Sequence, residues 1–293
     1  MRVAITGGTG FVGTHTTRAL TAAGHEVVVI ARGTKRRPQR ANVTFVRADL
    51  TDSPALADTF KGCDAVVHLV AIVRERGSQT FQRVNFEVSE RVATAAHAAG
   101  VAHLVHQSAL GADPDPRYPY LQSKWLGEEA ARGSGVPYTV LRPSVLFGPG
   151  DGFFTVLAKL IKLNPVIPVA GDGRAMFQPL FVEDVARCIV LALERGPDHR
   201  VHEVGGPEHL SYDDIVLTIK RGLGLHRFLA HVPVRMMLPL AFVMDTLLPN
   251  PPVTPGQLRL LEKNNITRLD SVPRSFGFDP QRFADNVDYL ADY

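Results

Sequence analysis

A glycine-rich turn separates the first predicted strand from the first predicted helix of this chain. Residues 3–5 are apolar and predict a buried strand, and residues 11–23 predict a helix. Glycine allows a sharp turn and a close approach of the backbone to a ligand, and the following helix presents free N–H groups to phosphate. The order of strand, turn and helix therefore predicts a dinucleotide site, the alternative being a tight turn without a ligand. The residues predicted to hold the pyrophosphate are Gly7, Thr9, Gly10, Phe11, Val12 and Gly13.

Short apolar runs and helical patterns alternate through the first two thirds of the chain. Near-continuous apolar strands separated by helices predict an α/β protein with a doubly wound parallel sheet, the Rossmann fold. The last third is richer in proline and glycine and predicts a smaller, mostly helical C-terminal lobe. Further strands are predicted at residues 27–30, 43–46, 65–69, 104–106 and 138–141, and further helices at residues 78–99, 118–131, 183–194, 212–223 and 280–290.

The predicted domains are interleaved along the chain. A Rossmann core covers residues 1–147, and residues 176–204 return to it, whereas the substrate lobe comprises residues 148–175 and 205–293. We expect the lobe to lie over the carboxyl ends of the strands, because ligands bind there in such sheets.

Charge and cysteine content argue against several classes of protein. The chain has 32 basic and 29 acidic residues, a balance that gives no indication of nucleic-acid binding. The two cysteines lack metal-ligand spacing, so no metal site is expected. No apolar run reaches the about 18 residues of a membrane span. No secretory signal precedes the first strand, and we expect a cytoplasmic protein.

The end of the second predicted strand indicates which dinucleotide the site prefers. A site selective for NAD carries an acidic residue there, which holds the ribose 2′-hydroxyl. Here Ile30 and Ala31 are followed by Arg32, with Lys35 and Arg36 nearby. A guanidinium can pair with a 2′-phosphate, so we predict NADP(H), bound through Arg32 and Arg36. NAD(H) beside a solvated basic loop is the alternative.

Tyr120 and Lys124 lie four residues apart in a predicted helix, so their side chains share one helix face. An ammonium group beside a phenol favours the phenolate and makes the tyrosine a better proton exchanger. Ser108 follows the preceding strand, where its hydroxyl would anchor a substrate oxygen. We predict that these three residues catalyse a reaction at a carbonyl or hydroxyl carbon. The alternative is a buried tyrosine beside a surface lysine, without a catalytic role.

These motifs resemble the extended branch of the short-chain dehydrogenase/reductase superfamily over about residues 1–200. The likeness rests on the glycine turn, on Ser108 and the Tyr120/Lys124 pair, and on residues 49–50, 68–71, 85, 141–144 and 181–186. The resemblance implies further cofactor contacts: Asp49 and Leu50 beside the adenine, Val70 and Ala71 under the adenosine ribose and phosphates, Lys124 with Tyr120 at the nicotinamide ribose, and Pro143 and Ser144 at the nicotinamide.

Within that superfamily the chain most resembles an atypical subgroup. It includes the nucleotide-binding accessory subunit of respiratory complex I and bacterial proteins often labelled nucleoside-diphosphate-sugar epimerases. Residues 86–88, 108–112, 120–128 and 142–149 carry this likeness, and residues 253–258 agree more loosely. It implies an NADP(H)-dependent oxidoreductase or epimerase-like enzyme whose substrate is unidentified, apolar quinone- or lipid-like compounds being candidates. The alternatives are a non-catalytic redox-sensing or assembly protein of a respiratory or membrane complex, and a nucleoside-diphosphate-sugar epimerase or dehydratase.

Three further features each have two interpretations. The segment 232–248 holds three of the five methionines. One interpretation is a core helix of the lobe. The other is an exposed apolar surface, which would be a lid over the substrate or a peripheral contact with a membrane or respiratory complex. Asn85 either holds a backbone carbonyl near Tyr120 or lies on a helix surface. We expect His68, His103 and His106 to be hydrogen-bonded core residues rather than catalytic ones.

Overall fold

The computed structural model describes residues 1–31, 33, 41–248 and 251–293. Within these ranges the chain divides into two compact units. The first unit comprises Met1–Pro143, Val182–Val204 and Arg274–Gly277, and the second comprises Ser144–Phe181, Gly205–Pro273 and Phe278–Tyr293. The segment Arg274–Gly277 lies in the first unit, where Arg195 Nη2 donates a hydrogen bond to Phe276 O at 2.8 Å.

A seven-stranded parallel sheet forms the centre of the first unit and confirms the predicted Rossmann class. Its strands run in the order β11-β6-β5-β4-β1-β2-β3, so the chain reverses direction across the sheet between β1 and β4. Ligands bind at such a reversal, outside the carboxyl ends of the strands. The strands are β1 Arg2–Thr6, β2 Glu26–Ala31, β3 Val43–Arg47, β4 Ala65–His68, β5 His103–Gln107, β6 Tyr138–Pro143 and β11 Val201–Val204.

Helices cover both faces of this sheet. On one face α1 packs against α6, and on the other α2 packs against α3, which in turn contacts α4. The inward side chains of the central strands are aliphatic and almost fully buried, as expected for a parallel sheet covered on both faces. The helices are α1 Phe11–Ala22, α2 Ser53–Phe60, α3 Val88–Ala98, α4 Pro119–Gly133 and α6 Val182–Arg195.

An ion pair holds helix α4 to strand β6. The guanidinium of Arg142 donates from Nε and Nη2 to the two carboxylate oxygens of Glu128, at 2.8 and 2.7 Å. Glu128 is fully buried, whereas Arg142 is partly exposed. The two parallel bonds fix the position of the helix that carries Tyr120 and Lys124 relative to the sheet.

The second unit combines helices with three short strand pairs. β7 pairs with β10 and β8 with β13, both parallel, while β9 pairs with β12 antiparallel. Phe147, Phe154 and Phe283 form its aromatic centre, with ring centroids 4.9–6.0 Å apart. Its elements are β7 Leu146–Phe147, α5 Phe154–Leu163, β8 Val166–Ala170, β9 Met176–Phe177, β10 Leu180–Phe181, β12 Leu210–Ser211, α7 Tyr212–Gly222, β13 Phe228–Val232, α8 Val234–Leu247 and α9 Pro255–Leu260. Helix α10, Ser271–Phe276, begins in the second unit and ends in the first.

Two predicted helices differ from the structure. The helix expected at residues 78–99 begins later, with a π-helical turn at Gln82–Glu87 that continues into α3. The helix expected at residues 280–290 is wrong: Ala284–Asn286 and Asp288–Asp292 are separate 3-10 segments. Tertiary hydrogen bonds explain the second case, because Lys162 Nζ donates to the carbonyls of Leu290 and Ala291, at 3.1 and 2.8 Å.

The Arg142–Glu128 pair predicts a large asymmetry between two arginine substitutions near α4. Arg142→Met leaves the Glu128 carboxylate buried without its partner, and we expect the free energy of unfolding to fall by about 3 kcal/mol. The matched control is Arg132→Met, which breaks an exposed pair with Glu129 and should cost about 0.5 kcal/mol or less. Urea denaturation measures both. Equal decreases in the free energy of unfolding in the two variants would show that the Arg142–Glu128 pair stabilises the protein no more than a surface ion pair does.

Candidate active site

The glycine loop connects β1 to α1 at the carboxyl edge of the sheet. Gly10 N donates to Gly7 O at 3.0 Å and closes a tight turn. Gly10 is the N-cap of α1, and within the described part of the chain no side chain caps this helix and its first turn carries no acidic residue. The first N–H groups of α1 can therefore bind an anion, and the dipole of the helix favours one.

The backbone of this loop lies very close to neighbouring backbone. Gly7 has a φ of +77°, and a Cβ on it would lie 3.0 Å from Leu69 C and Val70 N. A Cβ on Gly13 would overlap the carbonyl of Gly7. These contacts form a cradle that side chains would fill. The loop also lies against the end of β4, where the predicted contact Val70 is partly buried and the predicted contact Ala71 is exposed.

The predicted adenine contacts follow strand β3. Asp49 is exposed, and its Oδ1 accepts a hydrogen bond from Thr51 N at 2.9 Å. Leu50 is buried in the core beside α2 and α3. The two strands β2 and β3 are neighbours, so their carboxyl ends lie side by side at this edge.

Arg47 is a basic residue at this edge that the sequence analysis did not single out. It is the register partner of Ala31, the last residue of β2, and it is exposed. Arg32 and Arg36, the predicted contacts of the 2′-phosphate, lie outside the described residues. The sequence does show a basic residue at the end of the third predicted strand, which could have indicated a phosphate contact. Only the pairing of β2 with β3 shows that this residue, Arg47, adjoins Ala31.

Ser108 and Lys124 meet at the carboxyl end of β5. Lys124 Nζ donates to Gln107 O at 2.7 Å, one residue before Ser108. The Ser108 side chain is 3% exposed, and its Oγ has no hydrogen-bond partner in the described ranges. The Oε1 atom of Gln107, which the sequence analysis missed, is likewise buried without a partner. Buried polar atoms without partners are uncommon, and here they suit a site that a ligand completes.

Tyr120 lies in the first turn of α4, with its ring 5.8 Å from that of Phe81. Burial raises the pKa of Tyr120 to about 12. Burial also lowers the pKa of Lys124 to about 8, and the charge of Glu128 partly opposes this shift. The direction for Tyr120 is opposite to the one expected from a neighbouring ammonium, because loss of hydration dominates. The phenol is therefore protonated at neutral pH.

Asn85 connects the loop after β4 to the helix that carries Tyr120. It is fully buried, so the helix-surface interpretation is wrong. Its Oδ1 accepts from Ile72 N at 2.8 Å, and its Nδ2 donates to Ile72 O at 3.0 Å and to Ser123 Oγ at 2.9 Å. Ser123 Oγ in turn donates to Tyr120 O at 2.7 Å. Asn85 therefore sets the distance between the cofactor edge and the predicted catalytic helix.

The three histidines are core residues, as expected, but they are not equally satisfied. His68 is hydrogen-bonded to Thr6 Oγ1 at 2.6 Å and Ser89 Oγ at 3.0 Å, and His103 is bonded to Thr139 Oγ1 at 3.0 Å. Burial lowers the pKa of His68 to about 3. His106 stacks on His68, and its Nε2 has no partner among the described residues. Burial lowers its pKa far below the usual value, so this ring is neutral.

Pro143 and Ser144, the predicted nicotinamide contacts, are both buried. Pro143 ends β6, and its carbonyl accepts a hydrogen bond from Leu110 N at 2.8 Å. Ser144 begins the second unit, where its hydroxyl donates to the carbonyl of Gln178. The Ser144 hydroxyl is therefore already bonded within its own unit.

Helix α8 accounts for most of the apolar segment 232–248. Val234 and Ala241 are buried, and Met237 and Leu238 pack against them, so the core interpretation holds for one side of the helix. The exposed large apolar side chains of this helix and its end are Met236, Leu240, Phe242, Val243, Leu247 and Leu248. A lid or peripheral contact through these side chains stays a prediction.

Across the described ranges, every helix is too short or too polar to cross a lipid bilayer. Those ranges also contain no group of three or more His, Cys, Asp or Glu side chains placed to hold a metal ion.

The doubly wound sheet and the glycine cradle define an NAD(P)-binding Rossmann protein of the extended short-chain dehydrogenase/reductase type. The residues present fit a dinucleotide for three reasons. The cradle has space only for glycine at Gly7 and Gly13, and no described side chain caps the start of α1. Ser108 Oγ also has no partner among the described residues. Residues 3–205 match the model of the NAD dependent epimerase/dehydratase family, and the chain belongs to that family.

Three relatives illustrate the range of this family. Over 190 residues the chain is 34% identical to a ceramide reductase of Caulobacter vibrioides, a match that covers 64% of this chain and 59% of that protein. It is 27% identical to the mitochondrial NADH dehydrogenase [ubiquinone] 1 alpha subcomplex subunit 9 of Arabidopsis thaliana, over 69% of this chain and 53% of that protein. It is 25% identical to a 2-alkyl-3-oxoalkanoate reductase of Stenotrophomonas maltophilia, over 96% of this chain and 95% of that protein.

The matches to the first two relatives thus span little more than half of their lengths. Among solved structures, the fold is similar to that of a dTDP-glucose 4,6-dehydratase double mutant from Streptomyces venezuelae, crystallised with NAD. The TM-score is 0.76 at 22% identity, covering 100% of this chain and 96% of that one. At this identity the likeness shows the fold alone.

The glycine cradle predicts that one added methyl group weakens dinucleotide binding. In Gly13→Ala the new Cβ overlaps the Gly7 carbonyl, so the loop must move from the position that presents its N–H groups. We expect the affinity for NADPH to fall at least about ten-fold, or about 1.4 kcal/mol. The matched control is Gly133→Ala, where a Cβ has open space. Calorimetric titration of both variants, with thermal unfolding as a check on folding, measures the effect; unchanged affinity in Gly13→Ala would contradict it.

Proposed function

We propose that this protein is an NADPH-dependent reductase that converts a ketone on an apolar, alkyl-bearing substrate into an alcohol. The observation that carries the proposal is the Ser108 hydroxyl, which is buried and has no hydrogen-bond partner in the part of the chain that the structure describes, at the strand end where Lys124 is bound. This hydroxyl is available to a substrate oxygen, and Tyr120 lies one turn before Lys124 on the same helix.

The roles of the three side chains follow from their protonation. Ser108 donates a hydrogen bond to the carbonyl oxygen and polarises it. Tyr120, a protonated phenol at neutral pH, gives its proton to that oxygen as negative charge develops there. Lys124, bound to Gln107 O, places a positive charge beside the resulting phenolate. When bound, the dinucleotide supplies the hydride that reduces the carbonyl carbon.

The preference for NADP(H) is supported by the charge at the carboxyl edge of β2. The strand ends in Ile30 and Ala31, with no carboxylate to hold a ribose 2′-hydroxyl. Arg32 and Arg36 follow in sequence, and the exposed Arg47 pairs in register with Ala31. A 2′-phosphate at this edge would meet guanidinium groups, which bind it strongly.

An apolar substrate is supported by two observations. The relatives with curated names include a ceramide reductase and a 2-alkyl-3-oxoalkanoate reductase, whose names denote substrates with hydrocarbon chains. In this chain, the second unit exposes Met236, Leu240 and Phe242 on α8. Exposed apolar side chains of this size are expected where hydrocarbon covers them.

A non-catalytic role is the second candidate. It is favoured by the relatives named as subunits of NADH dehydrogenase in Arabidopsis thaliana and Dictyostelium discoideum. In that role the dinucleotide would stabilise the fold or report the redox state of a respiratory or membrane complex. A sugar-nucleotide epimerase or dehydratase is the third candidate and is included in the substrate panel below.

The charge at the β2 edge predicts the effect of two substitutions on cofactor choice. Arg32→Asp should reverse the preference from NADPH to NADH, because the carboxylate repels a 2′-phosphate and accepts a 2′-hydroxyl. Arg47→Glu should weaken NADPH binding about ten-fold with little effect on NADH. Arg132→Asp, on the surface of α4, is the control for loss of positive charge. Calorimetric titration with both nucleotides measures all three; unaltered selectivity in both test variants would defeat the NADP(H) assignment.

The reductase proposal predicts that Tyr120→Phe separates binding from turnover. We expect at least about a hundred-fold lower rate of NADPH oxidation with unchanged affinity for NADPH, because only the proton donor is removed. The panel comprises β-ketoesters with alkyl chains, a ceramide-type ketone and quinones, whose reduction is measured by the absorbance of NADPH. It also includes UDP-sugars, whose products are measured by chromatography because epimerisation and dehydration consume no net NADPH. Tyr118→Phe, two residues earlier in the chain, is the matched control.

Each result assigns one of the candidates. Turnover of alkyl ketones by the wild type, lost in Tyr120→Phe and kept in Tyr118→Phe, supports the reductase. Turnover of sugar nucleotides alone would assign the epimerase or dehydratase function. Nucleotide binding without turnover of any compound would favour the non-catalytic role.

A further inference from the structure

Three large apolar side chains are exposed together on the second unit. Leu163 and Phe228 are each 80% exposed, and Val166 is 47% exposed. Phe228 and Val166 are partners in the parallel pairing of β13 with β8, and Phe228 N donates to Pro165 O at 3.2 Å. Leu163 ends α5 immediately before this turn. We refer to Leu163, Val166 and Phe228 as the Phe228 cluster.

Basic side chains surround the Phe228 cluster. Arg227 Nε donates to Ile161 O at 3.2 Å, at the end of α5, and Lys220 Nζ donates to Arg227 O at 3.2 Å. Lys162 precedes Leu163, and Lys159 lies one turn earlier on α5, over the ring of Tyr293. These hydrogen bonds join the charged groups to backbone carbonyls, which carry no net charge, so the side chains keep their positive charge beside the cluster. We refer to these basic side chains as its rim.

The acidic side chains nearest to this rim are fewer. Asp288 and Asp292 lie on the 3-10 segment whose carbonyls bind Lys162. Four cations, Lys159, Lys162, Lys220 and Arg227, thus lie on the elements beside the cluster, against two carboxylates on that 3-10 segment, so positive charge is in excess at the rim. Helix α8, which also exposes apolar side chains, has no such excess of positive charge, because its two charged residues, Arg235 and Asp245, have opposite signs.

We infer that the Phe228 cluster and its basic rim dock the protein on an anionic lipid bilayer. Exposed apolar side chains enter the boundary between headgroups and acyl chains, and surrounding lysine and arginine residues bind anionic headgroups. The charge argues against a second copy of the chain as the occupant, because a symmetric contact through this face would bring the four cations of each copy together. The inference does not depend on the proposed reaction.

Sedimentation of the full chain with lipid vesicles tests this inference. The vesicles contain phosphatidylcholine alone or with about 30% phosphatidylglycerol. We expect the wild type to bind the anionic vesicles and to be released by high salt. Leu163→Ser/Phe228→Ser and Lys159→Glu should each lower the fraction bound, the first about ten-fold. Leu269→Ser removes another exposed apolar side chain of the second unit and is the matched control.

Size-exclusion chromatography and thermal unfolding of each variant accompany the vesicle assay. Reduced binding by the two test variants, with Leu269→Ser unchanged and all three folded, supports docking through this face. Equal binding by the wild type and Leu163→Ser/Phe228→Ser overturns it, as does the absence of binding by the wild type. A wild-type dimer that Leu163→Ser/Phe228→Ser converts to a monomer, without vesicle binding, would assign the face to self-association instead.

Discussion

The site depends on the close approach of three backbone segments at the first βα crossover. Gly13 in the first turn of α1 lies against the Gly7 carbonyl, and Gly7 lies against Leu69 and Val70 at the end of β4. Side chains at these glycines would separate the segments and remove the concave surface. The same approach leaves the N-terminus of α1 open, so one steric constraint produces both the shape of the cradle and its affinity for anions.

Buried polar contacts then position the catalytic side chains relative to that cradle. Lys124 is bound to Gln107 O and Glu128 to Arg142, so α4 is held to both β5 and β6. Asn85 joins the loop after β4 to Ser123 on the same helix. Burial also raises the pKa of Tyr120 to about 12, so the phenol is protonated at neutral pH in the absence of a ligand.

Parts of the fold that depend on long-range contacts were less predictable than the sheet. Phe283, Val287 and Leu290 are buried at helical spacing, yet their segment forms 3-10 turns because Glu208 and Lys162 bind its backbone groups. Helix α8 has apolar residues on its exposed side as well as on its packed side. Its sequence periodicity therefore does not show which side packs against the protein.

The sequence alone determined the Rossmann class, the glycine turn and the spacing of Tyr120 and Lys124, because these depend on local conformation and on period along the chain. Tertiary structure decided what those residues meet. Only the folded chain places Arg47 beside Ala31, leaves the Ser108 hydroxyl without a partner among the described residues and raises the pKa of Tyr120 to about 12. The reason is physical: pairing register, burial and loss of hydration arise from segments far apart in sequence, and no local pattern encodes them.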